Sequence, residues 1–138
     1  LLSGGVSMGH RDFVPTCLRE SGAEVLFHKL PQRPGRPVLG AVTSDGRPIL
    51  GLPGNPLSVL VTARRIAMPV LEHMSGLSDR AAPPRLLISA PGPDGQPIAH
   101  PVSGRSSGDV FAACQSDGFV EVPPDQVGAG PWPLYAWA

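Results

Sequence analysis

Two glycine-rich segments, Ser3-Gly4-Gly5-Val6-Ser7-Met8-Gly9 and Gly51-Leu52-Pro53-Gly54-Asn55-Pro56, constrain this chain more than any other feature. Each follows a short apolar run and precedes a stretch with helical spacing, so each reads as a strand-to-helix loop. Leu1-Leu2 is expected to be the end of a buried strand, with Ser3–Arg11 as the loop. Asp12 is expected to cap a helix carrying Phe13, Val14, Cys17 and Leu18 on one face, closed by a left-handed Gly22. Ala23–Leu30 suits a strand. Pro31–Pro37 holds three prolines in seven residues and must be irregular.

Val38–Thr43 and Pro48–Leu52 flank Ser44-Asp45-Gly46-Arg47, an Asp-Gly hairpin signal. A helix is expected from about Pro56 to Ser75, with Leu57, Leu60, Val61, Met68, Leu71 and Met74 as its apolar stripe. Pro69 should kink it, because its ring meets the carbonyl of Arg65, and Gly76 should end it. This order of elements is that of an α/β layer with crossover helices.

From Leu77 the texture changes. Ala82-Pro83-Pro84 reads as a linker, and Arg85–Ser89, Ile98–Val102, Val110–Cys114, Phe119–Val122 and Leu134–Trp137 as short strands. That pattern predicts a small all-β barrel or sandwich. The expected organisation is thus an α/β domain over 1–76 and a β domain over 77–138. Because the first glycine loop arrives with almost nothing before it, the chain is expected to be the C-terminal part of a longer protein.

Acidic and basic residues balance at 11 each with no basic stripe, so the electrostatic footprint of a nucleic-acid binder is missing. The apolar run Leu57–Ala63 is too short to span a bilayer and meets Arg64 and Arg65 at once. No secretory signal is visible. Cys17 and Cys114 are lone thiols that fit a reducing cytoplasm, or equally one disulfide. The 17 glycines and 18 prolines fall between Val-, Leu- and Ile-rich segments, which favours tight turns over disorder.

The chemistry-bearing candidates are four loops. Gly4 and Gly5 either form a tight turn or aim successive N–H groups at an anion, with Ser7 adding a hydroxyl. Gly51 and Gly54 permit close approach of a ligand, Asn55 can cap, and Ser58 lies in the first helical turn. Two such loops converging at the carboxyl edge of one sheet favour a ligand crevice over two unrelated turns. Arg33-Pro34-Gly35-Arg36-Pro37 is either a stiffened pair of guanidiniums for an anion or a solvated surface loop. Ser103–Asp109, with Arg105, Ser106 and Ser107, suits an oxyanion or is an ordinary loop. The histidines do not cluster. His28 and His73 read as structural or surface residues, and His10 sits in the glycine loop beside Asp12.

The runs SGGVSMGHRDFV, EVLFHKLPQRPGRP, GLPGNPLSVLVTARRIAMPVLEHMSG, SGRSSGDV and SDGFVEVP together resemble the MoeA family of molybdopterin molybdenumtransferases. The resemblance implies the later half of a three-layer, molybdenum-cofactor-binding α/β domain followed by a β-barrel-like domain. It implies insertion of molybdate into adenylylated molybdopterin with release of AMP, assisted by Mg2+, in a cytoplasmic homodimer whose cleft both subunits line. Carried over by motif, Gly4, Gly5, Ser7 and Asp12 would face the phosphates and the metal. Arg33 and Arg36 stand where the family usually has lysines near molybdate. Gly54, Asn55 and Ser58 would frame the other wall, and Arg105 and Ser107 would contribute from the last domain. Asp12, Ser58, Arg33 and Arg36 are the implied catalytic residues.

Three departures accompany the resemblance. His10 stands where the family commonly has Asp or Glu; an imidazole can ligate a metal but brings no negative charge to hold Mg2+. Arginine for lysine keeps charge and changes geometry. Gly128-Ala129-Gly130-Pro131 replaces the usual strand entry near the end. Two other readings compete. The adenylyltransferase of the same pathway typically has Gly-Gly-Thr-Gly and lacks the β domain. A non-catalytic molybdopterin-binding or scaffold protein is the alternative that His10 keeps open.

Overall fold

The computed structural model describes residues 1–7, 9–77, 85–88, 98–106, 108–126 and 128–137. The chain divides into two units, Leu1–Leu71 with Ser106–Gly108, and Glu72–Arg105 with Asp109–Ala138.

The first unit is built on four strands, β1 (Leu2–Ser3), β2 (Glu24–His28), β3 (Leu39–Val42) and β4 (Pro48–Leu52). Their order is β1-β4-β3-β2. The β2, β3 and β4 strands are antiparallel, and β1 runs parallel to β4 with Leu2 opposite Gly51. The hairpin expected at Asp45-Gly46 forms, with Gly46 at φ 83° and the Thr43 amide donating to the Arg47 carbonyl at 3.0 Å. Leu1 and Leu2, expected to be buried, are exposed, and among the described residues β1 pairs with β4 alone.

Alternation along β3 and β4 sends side chains to both faces. Leu39, Ala41 and Ile49 pack with Leu18, Ala23 and Val14 of the α1 side, where α1 is Val14–Glu20. Val38, Leu50 and Leu52 pack on the opposite face against Val59, Ala63, Ile66, Ala67 and Val70. A β-bulge between Val25 and Phe27 gives these two residues to opposite faces, which unbroken alternation forbids. The Phe27 ring then covers Gly40, occupying the space a Cβ there would need.

Asp12 does not cap α1. Phe13 holds the cap position, without a side-chain hydrogen bond, and Pro15 at the helix start requires no N–H partner. The α1 C-terminus does end as expected: Gly22 at φ 78° donates to Arg19, and Ala23 donates to Leu18 at 3.0 Å, a Schellman motif.

The long helix runs as α2 (Pro56–Thr62), a π turn (Ala63–Ala67) and α3 (Met68–Met74). The interruption falls where Pro69 removes the N–H that Arg65 would have received. The ladder widens instead, and the Met68 amide donates to Ala63. The expected stripe is mostly not the buried one, since Leu60, Met68, Leu71 and Met74 are exposed. Ala63 and Ala67 let the helix approach the sheet closely, so the face bearing Val59, Ile66 and Val70 turns inward instead. No helix among the described residues is long and apolar enough to cross a membrane.

In the second unit, β5 (Arg85–Ile88), β6 (Ile98–Ala99), β7 (Gly118–Val120) and β8 (Trp132–Ala136) form a sheet in the order β6-β5-β8-β7. Among the described residues this is an open row of strands, without the closure that the barrel expectation requires. Val110–Cys114, expected as a strand, is the helix α4. Asp109 caps it by accepting from the Ala112 amide at 3.2 Å, and this local bond overrides the strand preference of Val110 and Phe111. Phe119 and Tyr135 stack at 5.0 Å across β7 and β8. The expected linker Ala82-Pro83-Pro84 lies outside the described residues.

Candidate functional site

The two glycine-rich loops meet. The Gly4 amide donates to the Leu52 carbonyl at 3.0 Å, and the Ser3 hydroxyl donates to the Pro53 carbonyl at 3.3 Å. A Cβ on Gly54 would lie 3.4 Å from the Gly4 Cα, so the two backbones pass almost in contact. Gly4 (φ 81°) and Gly5 (φ 68°) adopt left-handed conformations that a side chain resists. The Gly4 N–H is therefore committed to the neighbouring loop, and the exposed rim of this loop begins beyond it, at Ser7.

Val6 turns inward and is 1% exposed, with its carbonyl 2.6 Å from His28 Nε2, a bond that places the imidazole proton on that nitrogen. His28 thus has the structural role expected of it. Gly51 does not open space for a ligand. Its missing side chain is replaced by Val6, whose Cγ1 would lie 2.7 Å from a Cβ at that position.

Asp12 closes the outer part of the loop. Its carboxylate accepts from the Gly9 amide at 2.6 Å, while the Asp12 amide donates back to the Gly9 carbonyl at 3.0 Å. His10 is exposed within this turn. Among the described residues no three His, Cys, Asp or Glu side chains group as metal ligands.

At the second loop, Asn55 caps α2 by accepting from the Ser58 amide at 3.2 Å and from the Ser58 hydroxyl at 3.3 Å. Ser58 is buried, so its hydroxyl supports Asn55 instead of facing an open mouth. The Arg33–Arg36 loop is seated on the same helix. Gly35, buried at φ 93°, presses against Thr62, and a Cβ there would lie 3.6 Å from the Ser58 carbonyl. Arg33 and Arg36 flank this contact and are exposed. Sequence reasoning missed the anchors Gln32, Thr62 and Arg65; the one signal for them was a glycine enclosed by prolines.

Arg105 belongs to the second unit and is exposed, its amide donating to Asp109 at 2.9 Å. That bond first, then the one from Ala112, hold the Asp109 carboxyl below the usual aspartate range against an opposing effect of burial, with Phe111 adding a lesser bond. Ser107 lies outside the described residues.

Residues 1–73 match the family model described as "Probable molybdopterin binding domain", and residues 85–131 match "MoeA C-terminal region (domain IV)". The chain belongs to the MoeA family. This MoeA-family chain is 44% identical over 72 residues to the molybdopterin molybdenumtransferase of Synechococcus elongatus, covering 51% of the chain and 18% of that protein. It is 32% identical over 149 residues to the molybdopterin molybdenumtransferase of Synechocystis sp., covering 99% of the chain and 38% of that protein. Its fold matches the crystal structure of the molybdopterin biosynthesis MoeA protein from Pyrococcus horikosii with a TM-score of 0.73 at 23% identity. That match covers 99% of the chain and 36% of the archaeal one. The MoeA-family chain thus spans well under half the length of these relatives.

Proposed function

We propose that this chain carries part of the substrate cleft of a molybdopterin molybdenumtransferase, inserting molybdate into adenylylated molybdopterin with release of AMP in molybdenum cofactor biosynthesis. The observation that carries the reading is the contact of Gly4 with Gly54, with the Arg33–Arg36 loop seated on the helix that Asn55 caps. In this reading, residues 1–76 are the later half of the three-layer α/β domain and 77–138 the C-terminal barrel-like domain. The protein works as a cytoplasmic homodimer.

The mechanism is electrostatic. Arg33 and Arg36 hold molybdate and phosphate oxygens through charge-assisted hydrogen bonds, which guanidinium forks make in pairs. Gly5, Ser7, Gly54 and Asn55 shape the walls, and Ser58 fixes Asn55. Donors fixed before the reaction stabilise developing charge without reorganising.

The described residues do not build a metal site of their own, and His10 is a poor partner for a hard cation. Mg2+ usually binds through substrate phosphates, several waters and one or two carboxylates, and Asp12 fits as such a carboxylate. When bound, the ion would neutralise charge on the phosphate oxygens.

The test supplies the full-length protein with adenylylated molybdopterin, molybdate and Mg2+ and follows AMP. Molybdate-dependent AMP release supports the reading. Tight binding without turnover refutes it in favour of the non-catalytic alternative, and His10→Asp then shows whether that position is the cause.

A further inference from the structure

The loop that presents Arg33 and Arg36 is fastened by more than its prolines. Its base is tied by the Leu30 and Val38 amides, which donate to the Arg36 carbonyl at 3.0 and 2.9 Å. Gln32 spans its interior: Nε2 donates to the Gly35 carbonyl at 3.2 Å, and Oε1 accepts from Arg65 Nη1 at 2.7 Å. Arg65 lies in the π turn, so the widened ladder and the arginine loop are joined through one amide side chain. Gly35 completes the seat. It packs on Thr62, which is 0% exposed, and a Cβ there would also stand 2.7 Å from Gln32 Nε2. The Thr62 hydroxyl has no hydrogen-bond partner among the described residues, so its place under Gly35 is set by shape.

We infer that Gln32, Gly35, Thr62 and Arg65 are positioning residues that fix the spacing of the Arg33 and Arg36 guanidiniums for a tetrahedral oxyanion. The inference rests on the reading of those two arginines as the anion contacts. A free loop loses backbone freedom when its two arginines close on an anion, in addition to the rotamer freedom of their side chains. A loop clamped from inside by a neutral amide has met the backbone part of that cost beforehand. Arg65 is a clamp here, reaching the anion through Gln32 and not by contact.

The test uses the full-length protein and molybdate as the probe. Gln32→Leu removes both bonds of the amide and changes no charge. It is expected to raise the molybdate KM about fivefold or more, with kcat for AMP release within about a factor of two, the pattern of lost binding and not of lost transition-state contact. Arg65→Lys, which keeps the charge and loses the fork, should shift KM in the same direction. In an Arg33→Ala/Arg36→Ala background, Gln32→Leu should change molybdate affinity no further, because there is nothing left to position. An unchanged KM for Gln32→Leu overturns the inference, as does an undiminished effect in the arginine-free background. If Arg33→Ala/Arg36→Ala binds molybdate like the unaltered protein, the reading of these arginines as the anion contacts falls and takes the inference with it, while molybdate-dependent AMP release tests the proposed function separately.

Discussion

Gly51→Ala is the substitution whose cost follows most directly from the geometry. Gly51 lies in β4 between Leu2 and Leu39, so its backbone is held on both sides. An added Cβ would stand 2.7 Å from Val6 Cγ1 and 3.4 Å from Leu39 Cβ. Val6 cannot swing aside, since it is buried and its carbonyl is bound to His28. Overpacking of this kind costs about 1–3 kcal/mol. Val6→Ala alone removes two buried carbons, about 1.6 kcal/mol of transfer at ~0.8 per carbon, plus whatever cavity remains. The double variant replaces the lost Val6 methyls with the new Ala methyl, so it should cost about as much as Val6→Ala alone. The expected coupling is about 1–3 kcal/mol, read from urea midpoints of the four proteins at constant m-value. Additivity within about 0.5 kcal/mol would refute the reasoning, because independent sites behave that way. Ligand affinity gives a second reading. A stable double variant that no longer binds molybdate would mean that Gly51 faces the ligand after all.

Three further outcomes are expected. Thr62→Val keeps the shape under Gly35 and removes an orphaned hydroxyl, so it should stabilise the protein by about 1–3 kcal/mol and raise the thermal midpoint by several degrees; destabilisation would mean that the hydroxyl has a partner in solution. The depressed folded pKa of Asp109 means that its contribution to stability is complete above about pH 3.9, the ordinary aspartate value, and is lost as pH falls through the lower folded value. Protection of the Arg105 and Ala112 amides, measured relative to their intrinsic exchange rates, should fall in that window, and Asp109→Asn, which caps without titrating, should abolish that fall. Asp12→Asn keeps an acceptor for the Gly9 amide and loses the charge, whereas Asp12→Ala loses both. If AMP release falls equally in the two, the carboxylate acts by its charge; if Asp12→Asn is spared, it acts by closing the loop.

Legibility in the sequence tracked whether a residue's role was set locally. The Asp45-Gly46 hairpin, the Gly22 cap and the Pro56 helix start are decided within a few residues, and the structure has each of them. Local signals also misled where two competed. Asp12 has the chemistry of a helix cap, but Gly9 lies three residues before it and takes the carboxylate first. Val110 and Phe111 favour a strand until Asp109 is counted as a cap. The helix at Pro56–Met74 carries apolar residues round most of its circumference, so periodicity admits two stripes. Only the sheet's need for close approach selects the one with Ala63 and Ala67.

The meeting of the two glycine loops was legible in outline because their glycines answer to two demands at once. The sequence reads Gly4 as part of a turn or anion nest and Gly54 as room for a ligand, and the absence of side chains at these two positions is what lets the two loops touch. Gly51 answers only to the second demand, since Val6 fills its place. The anchors of the arginine loop were invisible for a different reason. Gln32 and Arg65 are 33 residues apart, and nothing in the spacing of a glutamine and an arginine announces a bond between them. Long-range polar contacts of that kind exist only once the sheet has set the distance. A motif can therefore name the loops of a site well before it reveals what holds them in register.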